Sequence, residues 1–185
     1  MLQRLSATLK RASAARPLAT ASCTGAMVMS AGDVAAQRIA GLEKIDVQRN
    51  LVSTAYNAAA SPVFYRWYRL MDYLSPGTKF LIPKVVLSQL ITTGANNPCY
   101  LTFCNHAEAL LSSQHMGSVD WHEVRARTVA QLATELPNLY GSSMLFWLPV
   151  TSVNFAYVPD HLKILWVSSC SVLWGSFVSY VAHRS

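Results

Sequence analysis

WLPVTSVNFAYVP, Trp147 to Pro159, carries no charged residue, yet it holds Asn154 near its middle and Thr151 three positions before that. Pro149 and Pro159 bracket the carboxamide. In water, a helix of this composition has no charged face to turn outward. In hydrocarbon the requirement reverses: polar side chains turn toward other helices or a wet cavity. Proline also frees backbone carbonyls that must then find a partner or water. The solvent around this stretch therefore decides how the whole chain is read.

The rest of the composition gives the same answer. Of the 185 residues, 52% are hydrophobic and only 13% charged, against about 25% charged in a soluble domain. Mean hydropathy is positive, at +0.24. So few charges leave a water-facing surface uncovered, and an integral membrane protein is expected. The net charge of +6 is concentrated at the start. Residues 1–16 hold Arg4, Lys10, Arg11 and Arg16 among Ala, Ser and Leu, with no acid. That is the composition of a mitochondrial targeting arm. The remainder is nearly charge-balanced, so no basic patch supports nucleic-acid binding. The expected division is a basic targeting arm over 1–16 and a single transmembrane helical domain over 17–185. Cys23, Cys99, Cys104 and Cys170 are scattered without a C-x-x-C pair, and read as small apolar fillers.

Five stretches are long and free of charge: 17–32, 50–65, 85–107, 136–159 and 164–183. The last three reach the roughly 20 residues that cross a bilayer core. The first two do so only if polar flanks such as Asp33 are buried in protein, and one or other of them is expected to lie at the surface or to be incompletely buried. The first is rich in Ala, Ser, Thr and Gly, which suits close helix packing. Asp46 stands where it can cap the second, and Pro98 predicts a kink in the third. Between the third and fourth, Trp121, Val124, Thr128 and Leu132 recur at helical spacing behind Asp120 and Glu123. This predicts an amphipathic helix lying at the membrane interface. The expected fold is all-α: an integral membrane helical bundle of about four transmembrane helices plus that interfacial helix.

Catalytic patterns are missing from the sequence. His122-Glu123 opens like H-E-x-x-H, but Ala126 stands where the second histidine is due. Gly141-Ser142-Ser143 lacks the glycine of a nucleophile elbow, with Leu145 in its place. The five histidines share no spacing and read as interfacial residues. No enzyme activity, cofactor or metal is expected. What remains are polar residues within apolar runs: Asp33, Gln37, Gln89, Asn97, Thr151 and Asn154. They either hydrogen-bond between helices, at on the order of 1 kcal/mol each, or line an aqueous path.

The residues also resemble a known family. The C-terminal third carries Trp147, Pro149, Asn154-Phe155, Val158-Pro159, Lys163, Trp174 and Ser179. Earlier come Gly32, Asp33 and Gln37, then Asp46 and Arg49, then Trp67, Tyr68 and Asp72 within SPVFYRWYRLMDYLSPG. This pattern resembles the small integral membrane proteins grouped as the Mpv-seventeen and twenty-two-kilodalton peroxisomal membrane protein family. Departures mark a divergent member. Leu148 separates Trp147 from Pro149, Ser61 replaces a glycine before Pro62, Tyr65 replaces a histidine, and Ser88 replaces an acid before Gln89. The resemblance implies an α-helical protein of the mitochondrial inner membrane, or alternatively of the peroxisomal membrane, that is not an enzyme. It implies a channel-like role for small metabolites or ions, linked to membrane potential and metabolite balance. The alternative is a non-conducting subunit or assembly helper of a membrane complex. The expected partners are the lipid bilayer and a homo-oligomer or larger membrane complex.

Overall fold

The computed structural model describes residues 11–78, 80–112 and 119–182, except for the side chains of 139 and 175–182. Five long helices follow one another: α1 (Pro17–Ile39), α2 (Val47–Leu74), α3 (Leu81–Ser112), α4 (Trp121–Ala156) and α5 (Lys163–Ala182), with a 3-10 turn at Asp160–Leu162. Among the described residues there is no strand. Residues 1–10 of the basic arm lie outside the described residues, and 11–15 are helical.

The helix ends follow from local chemistry. Pro17 opens α1, where its missing N–H costs nothing. Gly41, at φ 80°, closes α1. Its N–H reaches the Arg38 carbonyl at 3.1 Å while the Leu42 N–H reaches that of Gln37 at 3.1 Å, the double bond pattern that needs a left-handed residue. Asp46 caps α2 by accepting from the Arg49 N–H. Asp120 caps α4 by accepting from the N–H groups of His122 and Glu123.

Consecutive helices run antiparallel, and α1 packs against both α2 and α5. The lower end of the bundle gathers the ends of α1 and α3 with the starts of α2 and α4. The upper end gathers the starts of α1, α3 and α5 with the ends of α2 and α4. Small residues set the α1 contacts. A Cβ on Gly25 would fall 1.9 Å from Ser61 Oγ, and one on Gly32 would fall 2.0 Å from Val172 Cγ2. Ser22 Oγ donates to the Ala58 carbonyl at 2.7 Å. In an unbroken helix that carbonyl would accept from the residue four on, but that residue is Pro62, which has no N–H to give. α1 thus repairs the defect that proline makes in α2.

Three expectations need correction. The amphipathic stretch is not a separate interfacial helix: it is continuous with the following apolar run in the 36-residue α4, despite Pro137 and Pro149 inside it. Its stripe packs in part on α3. Trp121 stacks on His106 with ring centroids 5.9 Å apart, and the buried Thr128 accepts from Asn105 at 3.1 Å. Nor are the first two segments set apart from the bundle, since α1 and α2 pack on each other and both are longer than α5. Of the cysteines, only Cys170 is buried, while Cys23 and Cys99 are exposed, so the filler reading fails for those two.

Among the described residues no helix is long and apolar enough to cross a membrane. Length is not what is lacking, since the helices run from 20 to 36 residues. The apolar runs are interrupted by polar side chains, and many of these point inward. The largest fully buried side chains are Gln37, Asn154, Ser88 and Ser143, all polar. Large apolar residues such as Met27, Ile82, Leu145 and Leu173 face outward. An apolar cluster of Tyr68, Met71, Val85, Phe155 and Ile164 closes the upper end.

Candidate functional site

Three polar groups occupy the interior. The first, at the lower end, joins α1 to α2. Asp33 accepts from Gln37 at 2.7 Å, from Arg49 at 3.1 Å and from Asn50 at 3.2 Å. The Gln37 carboxamide, fully buried, also grips the backbone of Asp46: it donates to the Asp46 carbonyl at 3.1 Å and accepts from its N–H at 2.6 Å. Spacing of four residues puts Asp33 and Gln37 on one face of α1. Their geometry ties helices together, and every hydrogen-bonding atom of the Gln37 amide that these contacts use is matched.

The second group is a seam between α3 and α4. The Thr151 hydroxyl donates to Gln89 Oε1 at 3.1 Å, and Gln89 donates to Thr93. Eight residues on along α3 and eight back along α4, Asn97 donates to Ser143 at 3.4 Å. Eight more along α3, Asn105 donates to Gln131 at 2.9 Å. The three rungs span about 24 Å at 1.5 Å per residue. Asn154 lies one helical turn from Thr151, is fully buried, and neither atom of its carboxamide has a hydrogen-bond partner among the described residues. Leaving such a group unpaired costs about 1–3 kcal/mol, so the position is expensive as pure packing.

The third group sits at the upper end. The residue before a proline is driven out of the helical region. α4 accordingly stops at Ala156, and Pro159 is extended at φ −60°, ψ 147°. The chain then turns through Asp160–Leu162, and Lys163 becomes the first residue of α5. Lys163 meets one oxygen of Asp72, at the end of α2, and Lys84, in the first turn of α3, meets the other. Lys84 also donates to the Ser75 carbonyl at 3.1 Å. Both ammoniums stand near the Phe155 ring, at 4.4 and 5.7 Å from its centroid. Asp160 reaches Lys163 at 2.9 Å from an exposed position.

The Mpv17 / PMP22 family pattern matches residues 122–179. The mitochondrial inner membrane protein Mpv17 of Bos taurus is 30% identical over 184 residues, covering 95% of this chain and 96% of its own length. The chain belongs to the Mpv17 / PMP22 family. The human Mpv17 protein is 29% identical with the same coverage. The peroxisomal membrane protein PMP22 of Arabidopsis thaliana is 23% identical over 88% of this chain and 82% of its own. No solved structure matches. The mitochondrial inner membrane is thus the location of this Mpv17 / PMP22 member, and the plant relative carries the peroxisomal alternative.

The structure gives the family pattern a physical meaning. The Trp67 indole donates to Ser88 at 2.9 Å, and Tyr68 meets Phe155 edge-on at 5.7 Å. Asp72, Phe155 and Lys163 meet at the upper end, where Pro159 turns the chain. Val158 is half-buried beside that turn. Trp147 and Trp174 both pack on Phe146 at 5.1 Å, and Pro149 lies within α4. The side chain of Ser179 lies outside the described residues. Sequence reasoning did not single out Ser143, Asn105 or Lys84 as site residues. The regular spacing of Gln89, Asn97 and Asn105 was the available signal for the first two.

Proposed function

We propose that this chain crosses the mitochondrial inner membrane as a bundle of about four helices and conducts small solutes along its polar interior, with no catalytic step. One observation carries the reading: the largest fully buried side chains are polar while large apolar ones face outward, and Asn154 lies among the former without a partner. In lipid that arrangement is favourable, because apolar surface meets hydrocarbon and amides meet one another or trapped solvent. The path runs along the α3–α4 seam, past Gln89, Asn97, Thr151 and Asn154. Carboxamides and hydroxyls present few fixed charges, so selectivity between ions is weak. Asp33 and Gln37 hold the helices around that path rather than lining it. Purified protein in planar bilayers tests the reading. Conductance is expected, and Asn154→Leu is expected to reduce it. No conductance above background, or one indifferent to that change, overturns it.

A second reading is favoured by a different observation: the three α3–α4 rungs are closed pairwise, as interhelical glue would be. The chain would then be a non-conducting subunit or assembly helper. Native gels after mild detergent extraction separate the two. A monomer or small homo-oligomer that conducts supports the path, and stoichiometric migration with a larger complex supports the helper.

A further inference from the structure

The upper-end cluster buries its charges to unequal depths. Lys84 and Lys163 are 4% and 5% exposed, yet among the described residues the only carboxylate shared between them is Asp72, whose side chain is 29% exposed. The second acid, Asp160, stands 70% exposed on the rim and reaches Lys163 alone. Two ammoniums are therefore more deeply buried than the charge that neutralises them. Buried charge is costly unless well paired. The first turns of α3 and α5, which carry these lysines, add partial positive charge of their own. The Phe155 ring offsets part of this but brings no negative ion. Arg66 and Arg69, exposed on the last turns of α2, make the approach more positive still.

Asp72 bridges the lysines in a specific way, one carboxylate oxygen to each ammonium. A phosphate or a free carboxylate presents the same pair of oxygens. We propose that Lys84 and Lys163 form a binding site for a small oxyanion, a phosphate or carboxylate group, and that Asp72 fills it as a tethered substitute. Being the most exposed of the three, Asp72 is the member that can leave. It also joins α2 to both α3 and α5, so an incoming anion replaces an interhelical tie with a bond to itself. Occupancy then loosens the end of α2 from the starts of α3 and α5. Lysines act here as point charges, so the site recognises charge and an oxygen pair rather than a planar shape. The inference does not require that the bundle conduct.

The test uses the full chain in nanodiscs of neutral phosphatidylcholine, titrated with inorganic phosphate and with citrate, and read by calorimetry and by melting. Asp72→Asn removes the tethered anion and keeps its shape. Phosphate affinity is expected to rise at least about tenfold, since a covalently held competitor acts at millimolar effective concentration. The melting temperature of this variant is expected to fall and to be restored by phosphate, but not by chloride at equal ionic strength. Adding Lys163→Met to Asp72→Asn is expected to abolish both effects. Discs containing an anionic phospholipid identify the source: restoration there without soluble phosphate assigns the site to a lipid headgroup, and restoration by soluble phosphate assigns it to a free solute. If the Asp72→Asn chain gains no affinity and is restored by neither, the proposal is wrong. Should that variant fail to fold, weak phosphate binding by the unaltered chain and its loss in Lys163→Met decide the matter, and equal binding by the two overturns it. Because binding is read at equilibrium, a chain that conducts nothing can still show it, and a conducting chain can still lack it.

Discussion

The two ends of the bundle solve the burial of charge differently. At the lower end, Asp33 is surrounded by three donors and Gln37 clamps the start of α2. Acid, base and amide are matched within hydrogen-bond distance, and the ion pair opens toward solvent through the half-exposed Arg49. At the upper end two buried lysines share Asp72, with the exposed Asp160 reaching Lys163 from the rim, and on the same helix as Phe155 the Asn154 amide has no partner among the described residues. A closed network specifies one arrangement of helices. An open one holds free energy that a ligand, a solute or trapped solvent can release. The lower end reads as construction, and the upper end is where the proposed anion would bind.

Four substitutions can break or sharpen that contrast. Gln37→Leu has the largest expected effect. It takes one of three donors from the buried Asp33 and removes the acceptor of the Asp46 N–H, and a loss of about 3 kcal/mol is expected in denaturant unfolding in micelles. Ser22→Ala comes next, at about 1 kcal/mol, because the Ala58 carbonyl loses its donor. Pro62→Ala in the same chain should recover most of that loss, since residue 62 then supplies the missing N–H. A double-mutant cycle showing no coupling would contradict this account. Asn154→Leu has the smallest effect and the opposite sign: removing an unpaired buried amide should raise stability by up to about 1 kcal/mol. If Gln37→Leu and Asn154→Leu both destabilise by similar amounts, the two ends do not differ as described.

Much of the fold could be read from the residues alone. The uncharged runs locate the helices, and Asp46 and Asp120 mark the starts of α2 and α4. The length of α4 could not be read this way. Glu135-Leu136-Pro137 looks like a boundary, but a proline in mid-helix is tolerated once the structure around it absorbs the defect, and that compensation is tertiary. Ser22 shows why: nothing in the residues near Pro62 announces a donor thirty-six positions away. The candidate polar residues were recognisable as types, because an amide in an apolar run is conspicuous. Their partners were not, because Ser143 is an ordinary residue until another helix is placed against it. Lys84 was hidden for a different reason, since a lysine near a helix start normally reads as a solvated end.

Gly25 and Ser61 have a further consequence. The hydroxyl of one helix occupies the volume that a methyl on the other would need, so the two positions hold a single parcel of space between them. Where this chain has departed from the family's glycine before Pro62, bulk has been added on α2 opposite a residue of α1 that has none. Substitution histories at the two sites should therefore be correlated. A relative with alanine or serine at the position of Gly25 should carry glycine opposite it, and grafting either residue singly from one relative into another should fail where exchanging both succeeds.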